Sequence, residues 1–144
     1  MRSFVFGGDE AERIEIRVHG YERAPVGEYY DDNWLRVSVR VSAGAFAGLF
    51  DATFLTSEFV GFRESLGALH DSLIGSARFS TLEEQLVLDL TGDRLGHITL
   101  RGVATDAPGI GNRLQFQLAL DQSHLSVALR DLDAMICTFP VRAG

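Results

Sequence analysis

The chain has 144 residues, a formal net charge of −7 and one cysteine, and its 13 basic residues are all arginine. With 46% hydrophobic and 23% charged residues, it reads as a soluble globular chain of one domain, residues 1–144. One cysteine excludes an internal disulfide framework or a cysteine zinc cluster, and an acidic chain without a basic cluster is poorly suited to nucleic acid or an anionic membrane.

The longest uncharged run, Val41 to Phe50, is ten residues, far below the ~18 that cross a bilayer. The first residues reach Asp9-Glu10 too soon to hold a secretory apolar segment, so a cytoplasmic location is expected. Charge is uneven. Residues 1–35 hold eight acids and four arginines (net −4), and residues 36–144 hold twelve and nine (net −3).

Two-residue alternation dominates the chain. Ile14, Ile16 and Val18 alternate with Glu15 and Arg17, the pattern of a half-buried antiparallel strand. Arg23 to Asp32, with Pro25, Gly27 and three acids, reads as the most mobile connection. Leu35, Val37, Val39 and Val41 alternate with polar residues, and Phe50 to Leu55 reads as the returning strand. Phe59, Phe62, Leu66, Leu69 and Leu73 then step by three and four, which predicts an amphipathic helix over about 57–74. Thr56 or Ser57 is placed to cap it, Glu58 suits its first turn, and Gly75 stands where a terminal glycine belongs.

Leu86 to Leu90, Ile98 to Gly102 and Leu114 to Leu120 alternate again, the first two joined by a Gly-rich turn. A second stripe, Leu125, Leu129, Leu132, Ile136 and Phe139, predicts a helix over about 123–139, capped by Asp121 or Ser123 and stopped by Pro140. The order is ββββαββββα with about seven or eight strands. Such an order implies an α+β, mainly antiparallel domain whose helices lie on the sheet.

No catalytic constellation stands out. His19, His70, His97 and His124 have no paired metal-ligand spacing, so no metal or cofactor is expected. There is no Gly-x-Ser-x-Gly elbow, and Cys137, beside a core position, is expected to be a small buried hydrophobe. Neither Gly7-Gly8 nor Gly109-Ile110-Gly111 completes a nucleotide fingerprint. The adjacent carboxylates Asp9-Glu10, Asp31-Asp32 and Glu83-Glu84 read as solvated pairs. Asp31-Asp32-Asn33-Trp34-Leu35 is the most distinctive local sequence. Asp32 and Asn33 can bond nearby backbone as the chain enters the long strand. Trp34, the only tryptophan, is either a core anchor or a partly exposed interface aromatic.

Those five residues, the Gly-Ala-Phe-Ala-Gly stretch at 44–48 and the Phe59–Leu69 stripe resemble the WapI-type immunity proteins. So do Gly111-Asn112-Arg113-Leu114-Gln115-Phe116 and Asp121-Gln122-Ser123-His124-Leu125 near the end. The likeness spans about residues 28–142. It departs at His124, where the family often carries Tyr. The resemblance implies a non-enzymatic cytoplasmic protein that binds and neutralises the toxic domain of a bacterial polymorphic toxin, a tRNA-cleaving nuclease in the founding type.

A basic, phosphate-binding toxin surface would call for acids and an aromatic anchor, so Asp9, Glu10, Asp31, Asp32 and Trp34 are the candidate partner-binding residues. No direct contact with nucleic acid or membrane is expected. Two alternatives stay open: an enzyme of unrecognised type using His97 with Asp89 or Arg101, and a small-ligand or protein interaction module of other biology.

Overall fold

Alternation places Phe4 and Phe6, Ile14 and Ile16, and Val37, Val39 and Val41 on one face of successive strands, and all are buried. The computed structural model describes residues 2–9 and 11–143. These strands are β1 (Arg2–Asp9), β2 (Glu12–Tyr21) and β3 (Trp34–Ala43), followed by β4 (Phe46–Leu55). They form an antiparallel meander in the order β1-β2-β3-β4. A second meander runs β5 (Ile74–Ser80), β6 (Leu86–Asp93), β7 (His97–Thr105) and β8 (Arg113–Asp121).

Among the described residues three helices complete the fold: α1 (Tyr29–Asp32), α2 (Thr56–Ser72) and α3 (Gln122–Thr138). The α+β, mainly antiparallel class and the ββββαββββα order are therefore as the sequence implies, with α1 as one added turn between β2 and β3. Among the described residues no helix is long and apolar enough to cross a membrane.

The helices exchange places relative to the sheets they follow. α2 leaves the first sheet and lies along β5 of the second, α3 leaves the second and lies along β1 of the first, and the helices touch. One core results, drawing on both sheets and both long helices. At its centre six of the ten phenylalanines meet. Phe79 of β5 lies 5.6 Å from Phe54 of β4 and 5.5 and 5.2 Å from Phe59 and Phe62 of α2, centroid to centroid. Phe4 and Phe6 of β1 join through Phe59 and Phe62, at 6.1 Å each. Such offset and edge-on pairs add to the area they bury.

Cross-strand packing explains two glycines. A Cβ at Gly102 would stand 2.2 Å from the ring of Phe116, its register partner on β8, so the ring covers the glycine. At Gly92 a Cβ would come 2.5 Å from the Leu73 carbonyl oxygen, where the end of α2 rests on β6.

Three local expectations are corrected. α2 ends at Ser72, and Leu73 rather than Gly75 takes the left-handed cap, at φ 59°. Its amide donates to the Leu69 carbonyl, and the docking on Gly92 holds it in a conformation that glycine usually takes. α2 also begins differently: Leu55 is the N-cap residue, and Glu58 reaches back to accept from its amide at 2.6 Å. On α3 the buried stripe is Leu125, Ala128, Leu129, Leu132 and Met135, with Ile136 only partly buried. Cys137 follows Met135 by about 200° of helical rotation, and is therefore exposed rather than buried. Asp121 is the α3 cap, accepting from the amides of Ser123 and His124.

Truncating Leu66 or Leu132, both fully buried, to Ala should cost about 2–5 kcal/mol, and Phe79→Ala about 3–5 kcal/mol. Urea unfolding checks this; a loss below 1 kcal/mol at all three would contradict a shared core.

Candidate functional site

Residues 22–34, from the end of β2 to the first residue of β3, hold most of the distinctive sequence. The chain turns there because two side chains satisfy the backbone from inside. Asp32, only 2% exposed, accepts from the amides of Val26 at 2.7 Å and Gly27 at 2.9 Å. Its carboxylate thus closes the loop onto α1 and is spent on that task, unlike the solvated acid expected.

Asn33 is wholly buried and uses its whole side chain. Its Nδ2 donates to the carbonyls of Tyr29 at 2.7 Å and Arg142 at 2.8 Å. Its Oδ1 accepts from the Thr56 hydroxyl at 2.7 Å and the Arg142 amide at 2.8 Å, and its own carbonyl accepts from the Thr56 amide. One side chain therefore joins α1, the start of α2 and the C-terminal segment.

That segment folds back over Tyr21. The Arg142 guanidinium stacks 3.4 Å above its ring, Phe139 meets it edge-on, and the Tyr21 hydroxyl donates to the Pro140 carbonyl. Burial pushes the Tyr21 phenol above its ordinary value, with the Arg142 charge opposing the shift.

On this brace the loop presents mixed chemistry. Tyr30 is 62% exposed and stacks edge-on against exposed Tyr29. Val26, Glu22, Glu28 and Asp31 are exposed around them, and Trp34 is half-buried. The tyrosines escaped sequence reasoning, since neither periodicity nor a motif marks them.

The five candidate residues do not form one patch. Asp31, Asp32 and Trp34 lie together, but Asp9 ends β1 at the far end of the first sheet. β2 separates the two ends by about 30 Å at ~3.4 Å per residue, running from the Glu12–Ala43 pairing to Tyr21–Leu35. Glu10 and the side chain of Asp9 lie outside the described residues.

The catalytic alternatives find little support in position. His97 Nδ1 lies 2.8 Å from Asp93 in the β6–β7 turn, whereas Asp89 faces Arg101 four residues further along β7 and also reaches Arg78 at 3.4 Å. His19, Ser38 and Asp51 form a row that sequence reasoning missed, because their strands had to be placed in register first. A bulge at His19 aims its Nε2 at the Ser38 hydroxyl, 2.6 Å away, and that hydroxyl donates to Asp51 at 3.1 Å. Serine stands between base and acid here, so the acid does not orient the imidazole as nucleophile activation requires. Among the described residues no group of three or more His, Cys, Asp or Glu is placed to hold a metal.

Glu58 is the perturbed acid beside the brace. Burial raises its pKa above the ordinary 4.5, while amides from Leu55 and Leu82 donate to it and oppose the shift. It thereby ties the start of α2 to the β5–β6 loop.

Residues 5–140 match the model of the Immunity protein WapI-like family. The chain belongs to that family. No curated protein matches it. A solved structure described as the siderocalin Ex-FABP, which functions through dual ligand specificities, is similar at 9% identity over 96% of this chain and 77% of that one, with a TM-score of 0.27. At that score the likeness carries no argument. WapI-like membership supports an immunity function and a toxin partner in general terms, and the residues that carried the resemblance now have structural work. Asp32 and Asn33 build the loop, and Asp121 with His124 caps α3 reciprocally, the imidazole Nδ1 accepting from the Asp121 amide at 3.0 Å.

Asn33→Ala strips partners from four groups around it, most of them part-buried, and should cost about 2–6 kcal/mol, at ~0.5–1.5 kcal/mol net for each hydrogen bond lost; chemical unfolding measures it. Glu58 gives a pH signature. With its folded value raised, its stabilising share is complete below the ordinary glutamate range and falls as pH rises through the folded value. The stability of the native protein relative to Glu58→Gln should therefore decline as pH rises above the ordinary glutamate range, and a flat difference would refute the raised value.

Proposed function

We propose that this WapI-like protein neutralises a cognate polymorphic-toxin domain in the bacterial cytoplasm by stoichiometric binding, without catalysis. The braced loop at residues 22–34 is the surface that meets the toxin. The observation that carries this is the loop's composition on its frame: two exposed tyrosines among exposed Glu22, Glu28 and Asp31, held from beneath by Asp32 and Asn33. Aromatic anchors dominate binding energy at interfaces, and a pre-ordered loop loses less entropy on association.

The acids fit a toxin with a basic working surface, such as the phosphate-binding cleft of a nuclease, where charge complementarity raises the association rate and selects the partner. Asp31 and Trp34 act at the contact, and Asp32 acts through the shape it gives the loop. Asp9, which ends β1 at the far end of the sheet, and its sequence neighbour Glu10 add charge to the acidic field that steers a basic partner in.

Co-expression with each toxin domain encoded beside the gene, scored for growth rescue and co-purification, tests the immunity function; failure with every neighbour rejects it. With the partner in hand, the double variant Glu28→Arg, Asp31→Arg should slow association about tenfold or more at low salt and flatten its salt dependence. An unchanged rate would remove the loop from the interface.

A further inference from the structure

The loop at residues 22–34 leads out over residues 22–27 and returns over residues 28–33. Its two limbs are joined internally at the base, where the Glu22 amide donates to the Trp34 carbonyl at 2.9 Å, and by the Asp32 carboxylate, which reaches across to Val26 and Gly27. From outside, hydrogen bonds hold it at two places. Thr56, at the start of α2, bonds Asn33 alone. The other support is residues 139–142, a segment after α3 without regular structure.

Arg142 bonds both limbs. Its Nη1 donates to the Arg23 carbonyl at 3.2 Å on the outgoing limb. On the returning limb its amide donates to Asn33 Oδ1 and its carbonyl accepts from Asn33 Nδ2, each at 2.8 Å. Its guanidinium lies 3.4 Å from the centre of the Tyr21 ring at the end of β2. Among the described residues no other residue outside the loop hydrogen-bonds both limbs. The guanidinium also forms no ion pair among them, so its charge meets a ring face and a carbonyl, a favourable place for a cation.

The dependence runs both ways. Apart from the bond of the Phe139 amide to the Met135 carbonyl, every hydrogen bond of residues 139–142 among the described residues goes to Tyr21, Arg23 or Asn33. Undocking this segment takes two of the four side-chain bonds from Asn33 and frees the Arg23 carbonyl. The outgoing limb is then tied only by its base and by Asp32. Segment and loop therefore share one local opening, which lies below global unfolding in free energy.

We infer that Arg142 is a positioning residue for the partner-binding loop: by joining both limbs it keeps the loop in the shape the toxin meets, without touching the toxin itself. The inference rests on the toxin-binding function proposed above and adds how that surface is held in its binding shape. A loop locked for part of the time binds in proportion to its locked fraction. By linkage, a bound partner holds the segment down in return.

Hydrogen exchange in the free protein reads the lock directly. Arg142→Ala removes the stack and the Arg23 bond, and should raise exchange at the Val26 and Gly27 amides about tenfold or more, with the amides of β3 and β7 unchanged. Tyr21→Phe, which removes the hydroxyl bond to Pro140, should move the same amides in the same direction by less. Unchanged exchange at Val26 and Gly27 in both variants overturns the inference. So does an equal rise across β3 and β7, which would make Arg142 a contributor to general stability only. With the toxin domain that passes growth rescue, Arg142→Ala should weaken binding about fivefold or more, and the native Arg142 amide should exchange more slowly in the complex. A loosened loop with unchanged binding overturns the positioning role and leaves the immunity function standing. Weakened binding with an unloosened loop makes Arg142 a direct contact, and also overturns it. If no neighbouring toxin domain binds, the proposed function fails and takes the inference with it.

Discussion

Phe79 stands where β4, β5 and the first turns of α2 converge, and the contact of its ring with Phe54, Phe59 and Phe62 joins two separate meanders into one molecule. A four-stranded antiparallel sheet with one apolar face must bury that face against a second layer. Here each sheet supplies the other's second layer, and each long helix seals the edge of the sheet it did not grow from. The exchange makes the halves mutually dependent. The Arg63–Asp133 bridge between the helices, at 2.7 Å, adds little by comparison, because exposed ion pairs contribute only ~0–1 kcal/mol.

With the β1 and β5 edges sealed by helices in this way, the protein's surface is organised by what is left over. The loop at one end of the first sheet is acidic and aromatic, whereas the outer face beside β4 carries Arg36 and Arg40 without ion pairs among the described residues. A net charge of −7 therefore describes no single region of the surface. Positive and negative faces adjoin at Glu22 and Arg36.

The strands and long helices were legible because each buries one face, and burial writes itself into residue order with period two or about 3.6. β1 and β5 left fainter traces: Phe4 with Phe6 and Ala77 with Phe79 are single steps of alternation, too short to mark without a partner strand. Helix ends were less legible. Leu73 adopts a left-handed cap because Gly92, nineteen residues later, makes room for its carbonyl, a condition that local preference does not record. Cys137 was misplaced because the stripe of α3 drifts from Ile136 to Met135 in its last turn. At the candidate site, Asp31 and Trp34 were visible by type. The burial of Asp32 was hidden in bonds to Val26 and Gly27, and the row His19–Ser38–Asp51 exists only once three strands are in register.

Asn33 and Arg142 are 109 positions apart and share two hydrogen bonds. Residues 29–33 thus cannot reach their final bonding until residue 142 has left the ribosome, even though both neighbouring strands are made early. Order in synthesis becomes order in competence: a nascent chain can pair β2 with β3 long before its partner-facing loop is locked. A partner that reads the locked loop would discriminate chains made through residue 142 from shorter nascent ones. Loosening of residues 139–142 in the folded protein would be felt at Tyr29 and Tyr30 before it was felt in the core.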